Sequence, residues 1–382
     1  MANTMKFGNG QWATKKDSIL AYNDENANFK PLPFVTSRAS TATRVNKLGL
    51  IETVGAGIPR VDYLGNTKGA YLLEPQSTNL VPYSEDLTTL TKTNTTITAN
   101  QAISPDGTLN ADEIIGTGFA RSVYAIGSGD ITVSCYVKSN DGSNKDFKMG
   151  AGSLGASGNS TFTATGEWQR FTHTFSTTAQ STDFGFFASG GTSLGLYLFG
   201  WQLEQSSYAT SYIPTAGSAI TRLADTAGQT VPDGVINSSE GVFYIEAEPI
   251  SFTDVAPNYY KMISLSNGTA DNRIHIGFTS DSKLTIGYKA NTFSTSFTEK
   301  SLTKIKHKIA LRWTSTTLSL YVDGVEFLSP ISIISNLPVN SLAKLSGDWG
   351  ISGSYPFYGG INQLQVFKTA LTDAELVKLT TI

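Results

Sequence analysis

Apolar and polar residues alternate with a period of two through most of this 382-residue chain, the repeat of a half-buried β-strand. Ile131, Val133, Cys135 and Val137 share one face of a predicted strand. Phe171, His173 and Phe175 share one face of another, within 168–175. Gly, Ser and Asn turns separate these runs. Residues 196–203 depart from the pattern: Leu196 and Leu198 fall on one face, and Tyr197, Phe199, Trp201 and Leu203 on the other. A strand apolar on both faces is covered on both. A sandwich core supplies one cover, and the N-terminal arm or another subunit is expected to supply the second.

The pattern changes across 200–225. An apolar strand ends there, small polar residues follow, and Pro214 with Gly217 and Ser218 cannot continue a ladder. Alternation resumes in 234–382, with Phe243, Ile245 and Ala247 on one face. Ile274, Ile276 and Phe278 form a second set, and Leu284, Ile286 and Tyr288 a third. His307, Ile309, Leu311 and Trp313 precede Leu318, Leu320 and Val322. Asp323-Gly324 between alternating runs predicts a tight hairpin. Thr372 to Glu375 reads as a capping box opening one short helix. Residues 1–57 carry few periodic apolar positions, and Pro31 and Pro33 interrupt them. The expected fold is all-β: two jelly-roll-type β-sandwiches in tandem, 58–225 and 234–382, with an extended N-terminal arm, 1–57. The arm is expected to pack on a neighbouring subunit or a larger particle, or to wrap its own domain. The complete apolar pattern of the second sandwich predicts that it folds without help.

Two long segments carry a resemblance. IPRVDYLGNTKGAYLLEPQSTNLVPYSED, at 58–86, and GWQLEQSSYATSYIPT with the later TRLAD, at 200–225, resemble the opening and closing segments of a module of bacteriophage tail and fibre proteins. GNGQWATKKDS and RASTATRVN resemble the start of the same proteins. The resemblance implies a carbohydrate-binding-module-like central sandwich, a virion location after assembly in a host cytoplasm, other virion proteins as partners, and a homo-oligomer, most simply a homotrimer. LSLYVDGVEF and YPFYGGINQLQVFKTALTDAEL resemble the concanavalin A-like, laminin-G-type jelly roll. That fold admits calcium, although no ligand spacing here demands it, and no cofactor is expected.

Composition narrows the function. Net charge is −3 with no basic block, so nucleic-acid binding has no electrostatic footprint. Cys135 is the only cysteine, which excludes an internal disulfide and a Cys-based zinc site. No apolar run approaches the roughly 18 residues that span a bilayer. The N-terminus also lacks the pattern of a secretory signal, so a soluble protein is expected.

The catalytic candidates are thin. Gly150 to Gly155 matches G-x-G-x-x-G, but no helical pattern follows it, so it is expected to be a loop. His173, His275 and His307 lie far apart and read as strand residues. Glu246 and Glu248 share one strand face, as the acid and nucleophile do in many glycosidases of the concanavalin A-like fold, but the fuller acid pattern of that strand is absent. Binding candidates are better supported, because sugar rings stack on aromatics beside acids, amides and arginines, and loops carry function on β scaffolds. Asp271, Asn272 and Arg273 open one strand, while Asp348, Trp349 and Tyr355 lie in late turn-rich sequence. The expected function is adhesion to host or environmental glycans without catalysis. A polysaccharide depolymerase or glycan hydrolase in the same position, and a purely structural spacer, are the alternatives.

Overall fold

The computed structural model describes residues 5–10, 12, 20–23, 29–32, 35–178, 180–251, 260–302, 306–350 and 354–382. It is all-β apart from short 3-10 turns and the helix Asp373–Thr380, which Thr372 caps through the expected capping box with Glu375. The chain forms two compact units. One comprises Met1–Ala39, Gly55–Pro75 and Ala224–Ile382; the other comprises Ser40–Val54 and Gln76–Leu223.

The first unit is a two-sheet sandwich. One sheet runs Val325–Ser332, Thr317–Val322, His307–Trp313, Gly241–Pro249, Gly359–Phe367, Met5–Gly8, Leu20–Asn23, Phe29–Leu32. The other runs Phe293–Ser301, Lys283–Ala290, Asn272–Thr279, Tyr260–Ser266, Lys344–Ser346, Thr226–Thr230, Val35–Ser37. The predicted apolar sets Phe243/Ile245/Ala247, Ile274/Ile276/Phe278 and Leu284/Ile286/Tyr288 meet in one core between the sheets. The Asp323-Gly324 turn joins its two strands as expected, with both residues at positive φ.

The described part of the N-terminal segment packs on its own chain, one of the placements expected of it. Met5–Gly8 pairs along Gly359–Phe367, and Met5 and Phe7 are buried in the sandwich core. Ala70–Leu73 pairs with the other end of the same strand, burying Tyr71 and Leu73. Residues 58–75, expected in the central sandwich, thus lie in the unit that holds 224–382. A fragment 234–382 would lack these strands and leave an open edge at Gly359–Phe367.

These crossing segments are held by a buried ionic cluster. Arg38 Nη1 donates to Asp225 Oδ1 at 2.8 Å, Arg60 Nη1 to Glu74 Oε2 at 2.6 Å, and Arg60 Nη2 to Asp225 Oδ2. Asp225 Oδ2 also accepts the Glu74 backbone N–H at 2.9 Å, and Arg38 Nη2 donates to the Gly55 carbonyl at 2.6 Å. All four side chains are at most 2% exposed. Burial opposes the charge on Arg60, but the carboxylates of Glu74 and Asp225 outweigh it and hold its pKa above the ordinary arginine value. The segments 58–86, RASTATRVN and TRLAD each contribute a member.

The second unit holds an eight-stranded sheet and two two-stranded sheets, Ala42–Val45 with Ile51–Val54 and Ser77–Asn79 with Ile220–Arg222. Leu109–Ala125 pairs with Leu196–Glu204 through Asp112–Ile114 and with Ser181–Ala188 through Phe119–Ala125. The strand passes from one layer to the other at Gly116 and Gly118, where a Cβ would lie 2.3 Å from the Asn94 carbonyl oxygen and 1.8 Å from that of Thr93. Leu196–Glu204 is corrected in detail. Gly200, at φ +69°, sits in a bulge opposite Cys135, so alternation reverses there. Leu196, Leu198, Trp201 and Leu203 join the core, while Phe199 packs on the other face with Ile51, Tyr136 and Tyr212. The second cover is therefore the chain's own 40–54 hairpin and Tyr212, which removes one reason to expect a partner subunit there. Gln202, Glu204 and Asn79 are buried polar residues that bond the backbone at Ile213, Thr210 and Leu203, so much of the closing segment's signature is structural.

Candidate functional site

The strongest site lies in the first unit, on the face of the second sheet turned away from the core. Strand alternation sends Ile274 and Ile276 inward and Arg273, His275 and Gly277 outward. Antiparallel pairing then sets Arg273 between Ser266 and Lys289, His275 between Ser264 and Gly287, and Gly277 between Met262 and Thr285. The next strand brings Ser296 opposite Gly287 and Ser294 opposite Lys289. Gly287 is what lets the His275 ring lie down on the sheet, since a Cβ there would be 2.1 Å from the imidazole Cε1. Gly287→Ala should cost about 1–3 kcal/mol by overpacking, measured by urea unfolding. Gly228→Ala, whose Cβ would meet nothing closer than 3.6 Å, should be nearly neutral.

Trp349 and Tyr355 wall this platform. Gly350, at φ +91°, approaches so closely that a Cβ would meet Ser266 Oγ at 2.8 Å. The Trp349 N–H donates to the Ser354 carbonyl, and the Met262 N–H to that of Tyr355. Trp349 lies over the Arg273 guanidinium at 3.9 Å, and Tyr355 meets Trp349 edge-on at 5.2 Å. A cavity of about 200 Å³ results, lined by Arg273, His275, Lys289, Ser296, Trp349 and Tyr355 among others.

The cavity's chemistry is that of a binding site. Arg273 and Lys289 are its charged lining groups, and Lys289 also reaches Asp271 at 3.2 Å. Burial, with the Arg273 charge adding to it, pushes His275 down to about 3, so its imidazole is neutral at pH 7. Of the lining groups, Arg273 Nε and His275 Nδ1 are buried without a hydrogen-bond partner, and Ser264 Oγ and Ser346 Oγ, which do not line the cavity, are unpartnered on the neighbouring strands. Such a concentration of unpaired polar atoms is uncommon and calls for a ligand or water.

Of the six residues singled out in the sequence, Arg273, Trp349 and Tyr355 line one cavity. Asp271 does not line it but bonds Lys289, which does, at 3.2 Å. Asn272 is buried and accepts the Asn291 N–H at 3.0 Å, while Asp348 accepts the Gly350 N–H at 2.8 Å; both serve turns. His275, Gly287, Lys289 and Ser296 were missed. The signal was available: pairing 272–279 with 283–290 across the Asp281-Ser282 turn puts Lys289 beside Arg273.

Elsewhere, Gly152–Ser157 forms a 3-10 turn after the strand Lys145–Ala151, not the helix a dinucleotide site needs. His307 is bonded to Asp323 at 2.8 Å, and His173 to Ser160 at 3.1 Å. Glu246 pairs with Lys306 at 3.1 Å, and Glu248 lines a groove with Asp62 and Lys306. Desolvation raises the Glu248 pKa. Among the described residues no cluster of His, Cys, Asp and Glu could hold a metal, and no helix is long and apolar enough to cross a membrane.

Residues 250–377 match the concanavalin A-like lectin/glucanases superfamily. No curated protein matches the chain. Among solved structures, the Ruminococcus gnavus IT-sialidase CBM40 bound to α2,3-sialyllactose is similar at 17% identity, over 41% of this chain and 96% of that one, with a TM-score of 0.33. The leech intramolecular trans-sialidase is similar at 18% identity, over 41% of this chain and 27% of that one, with a TM-score of 0.32. The botulinum neurotoxin serotype G binding domain is similar at 11%, over 41% and 42%, with a TM-score of 0.31. At these scores the likeness carries no ligand across.

Proposed function

We propose that the protein is a non-catalytic glycan-binding component of a phage particle, a fibre, tail or capsid decoration that displays the 200 Å³ cavity to host or environmental glycans. The observation that carries the binding role is the aromatic wall of Trp349 and Tyr355 standing over unpaired buried polar atoms on a lectin-like sandwich. The virion role rests on the resemblance of 58–86 and 200–225 alone, and a homotrimer on the same resemblance. A site this small suits one or two sugar residues with a Kd from roughly micromolar to millimolar, about −4 to −8 kcal/mol, raised by multivalent display. The test is a glycan array with the full chain. Binding is expected, and Trp349→Ala should lower affinity at least tenfold with an unchanged far-ultraviolet spectrum. No binding to any glycan would leave the spacer reading in its place. The groove at Glu248 and Asp62 favours hydrolysis as a second reading. Glu248→Gln should leave binding unchanged, and release of sugar by the native chain but not by this variant would decide for the enzyme.

A further inference from the structure

Resting on that glycan-binding reading, we infer that the cavity selects acidic sugars: a carboxylate or sulfate on the ligand is read by Arg273 with support from Lys289. Among the described residues no carboxylate lines the cavity, and those that do line it carry a positive formal charge. Arg273 is 7% exposed, and its guanidinium is fixed on one side by the Trp349 ring at 3.9 Å and at Nη1 by the Ala270 carbonyl. Its Nε has no acceptor. Burial pulls its pKa below the ordinary arginine value and the charge of Asp271 only partly offsets this, so an anion that completes its fork of donors recovers the cost of burying it. Lys289 stands directly across the strand pair from Arg273. In its bond to Asp271 the carboxylate is 67% exposed, and exposed pairs of this kind are weak, so Lys289 can turn to a ligand. The other nearby acid, Asp348, is bonded to Gly350 N within its loop and does not line the cavity. Trp349 then has two roles: it holds the guanidinium and offers its edge and Tyr355 to the sugar ring.

The experiment compares matched neutral, carboxylated (uronic or sialic acid) and sulfated glycans on one array, using the full chain. Acidic glycans of one or both kinds are expected to bind at least tenfold tighter than their neutral counterparts, and the two acidic arms separate carboxylate from sulfate. Arg273→Gln and Lys289→Gln should each erase most of that preference, Arg273→Lys should keep part of it, and Lys283→Gln, on the same strand but outside the cavity, should keep all of it. Because Arg273 is buried and its loss could unfold the unit, Lys289→Gln and the salt dependence of native binding stand as independent readouts. Equal binding of neutral and acidic glycans, lost in Trp349→Ala, would overturn the charge selection and leave glycan binding intact. Binding of acidic glycans that survives both Arg273→Gln and Lys289→Gln would overturn the site. No glycan binding at all would remove both readings.

Discussion

Asp225→Ala is expected to destabilise the first unit by about 3–5 kcal/mol, the cost of removing one partner from a buried ion cluster. Domains are commonly stable by only about 5–15 kcal/mol, so the variant should express poorly or unfold at much lower denaturant. The cluster is balanced, with Arg38 and Arg60 against Glu74 and Asp225, and Asp225 is its hub. One carboxylate oxygen serves Arg38; the other serves Arg60 and the Glu74 N–H. Without it, two guanidiniums share the single carboxylate of Glu74 in a place water does not reach. Asp225→Asn keeps the shape but not the charge, and should lose nearly as much. The comparison is Glu52→Gln, which breaks the Arg44 pair where the side chains are 27% and 36% exposed. That change should cost under about 1 kcal/mol. Urea unfolding of the three variants measures the difference, and an Asp225→Asn midpoint close to that of Glu52→Gln would show that the cluster does not hold the crossing segments.

What was legible in the sequence was whatever alternation encodes. Ile274, Ile276 and Phe278 announce a strand and its inner face, and the outer face follows from them. Placing Arg273 and His275 beside Lys289 needed only the pairing of adjacent strands. Three things were not local. Met5–Gly8 is four residues long and pairs with a strand more than 350 residues later, so nothing in its own pattern names its partner. Gly200 is visible as a glycine, but a bulge that reverses alternation depends on the opposite strand at Cys135. The members of the ionic cluster are as much as 187 residues apart, and each reads alone as a surface charge. The approach of Trp349 to Arg273 is of the same kind, because a loop closing over a sheet is fixed by tertiary packing rather than by period.

Acidification is expected to destabilise the same unit through His275, with the steepest loss between pH 6.5 and about 3. The ring is buried on the sheet over Gly287, with Arg273 two residues along its own strand, Ser264 and Gly287 on the strands to either side, and Lys289 diagonally across. Burial first, and Arg273 second, disfavour the imidazolium, and among the described residues no carboxylate lines the cavity beside it to offset them. In the unfolded chain the same imidazole takes its proton near 6.5. Between the two values the unfolded state holds the extra proton, so stability falls by about 1.4 kcal/mol for each pH unit lost. Above 6.5 both states are neutral and below 3 both are charged, so His275 adds no slope in either range. Carboxylates also titrate in this window, which is why the readout is a difference between proteins. His275→Gln removes the titration, whatever it does to stability at pH 7. The gap in unfolding free energy between native chain and variant should therefore change by about 2.5 kcal/mol from pH 6 to pH 4, in favour of the variant at pH 4. Parallel stability curves for the two proteins would mean that His275 takes up its proton in the folded state, and that the cavity is wetter than its buried, unpaired atoms require.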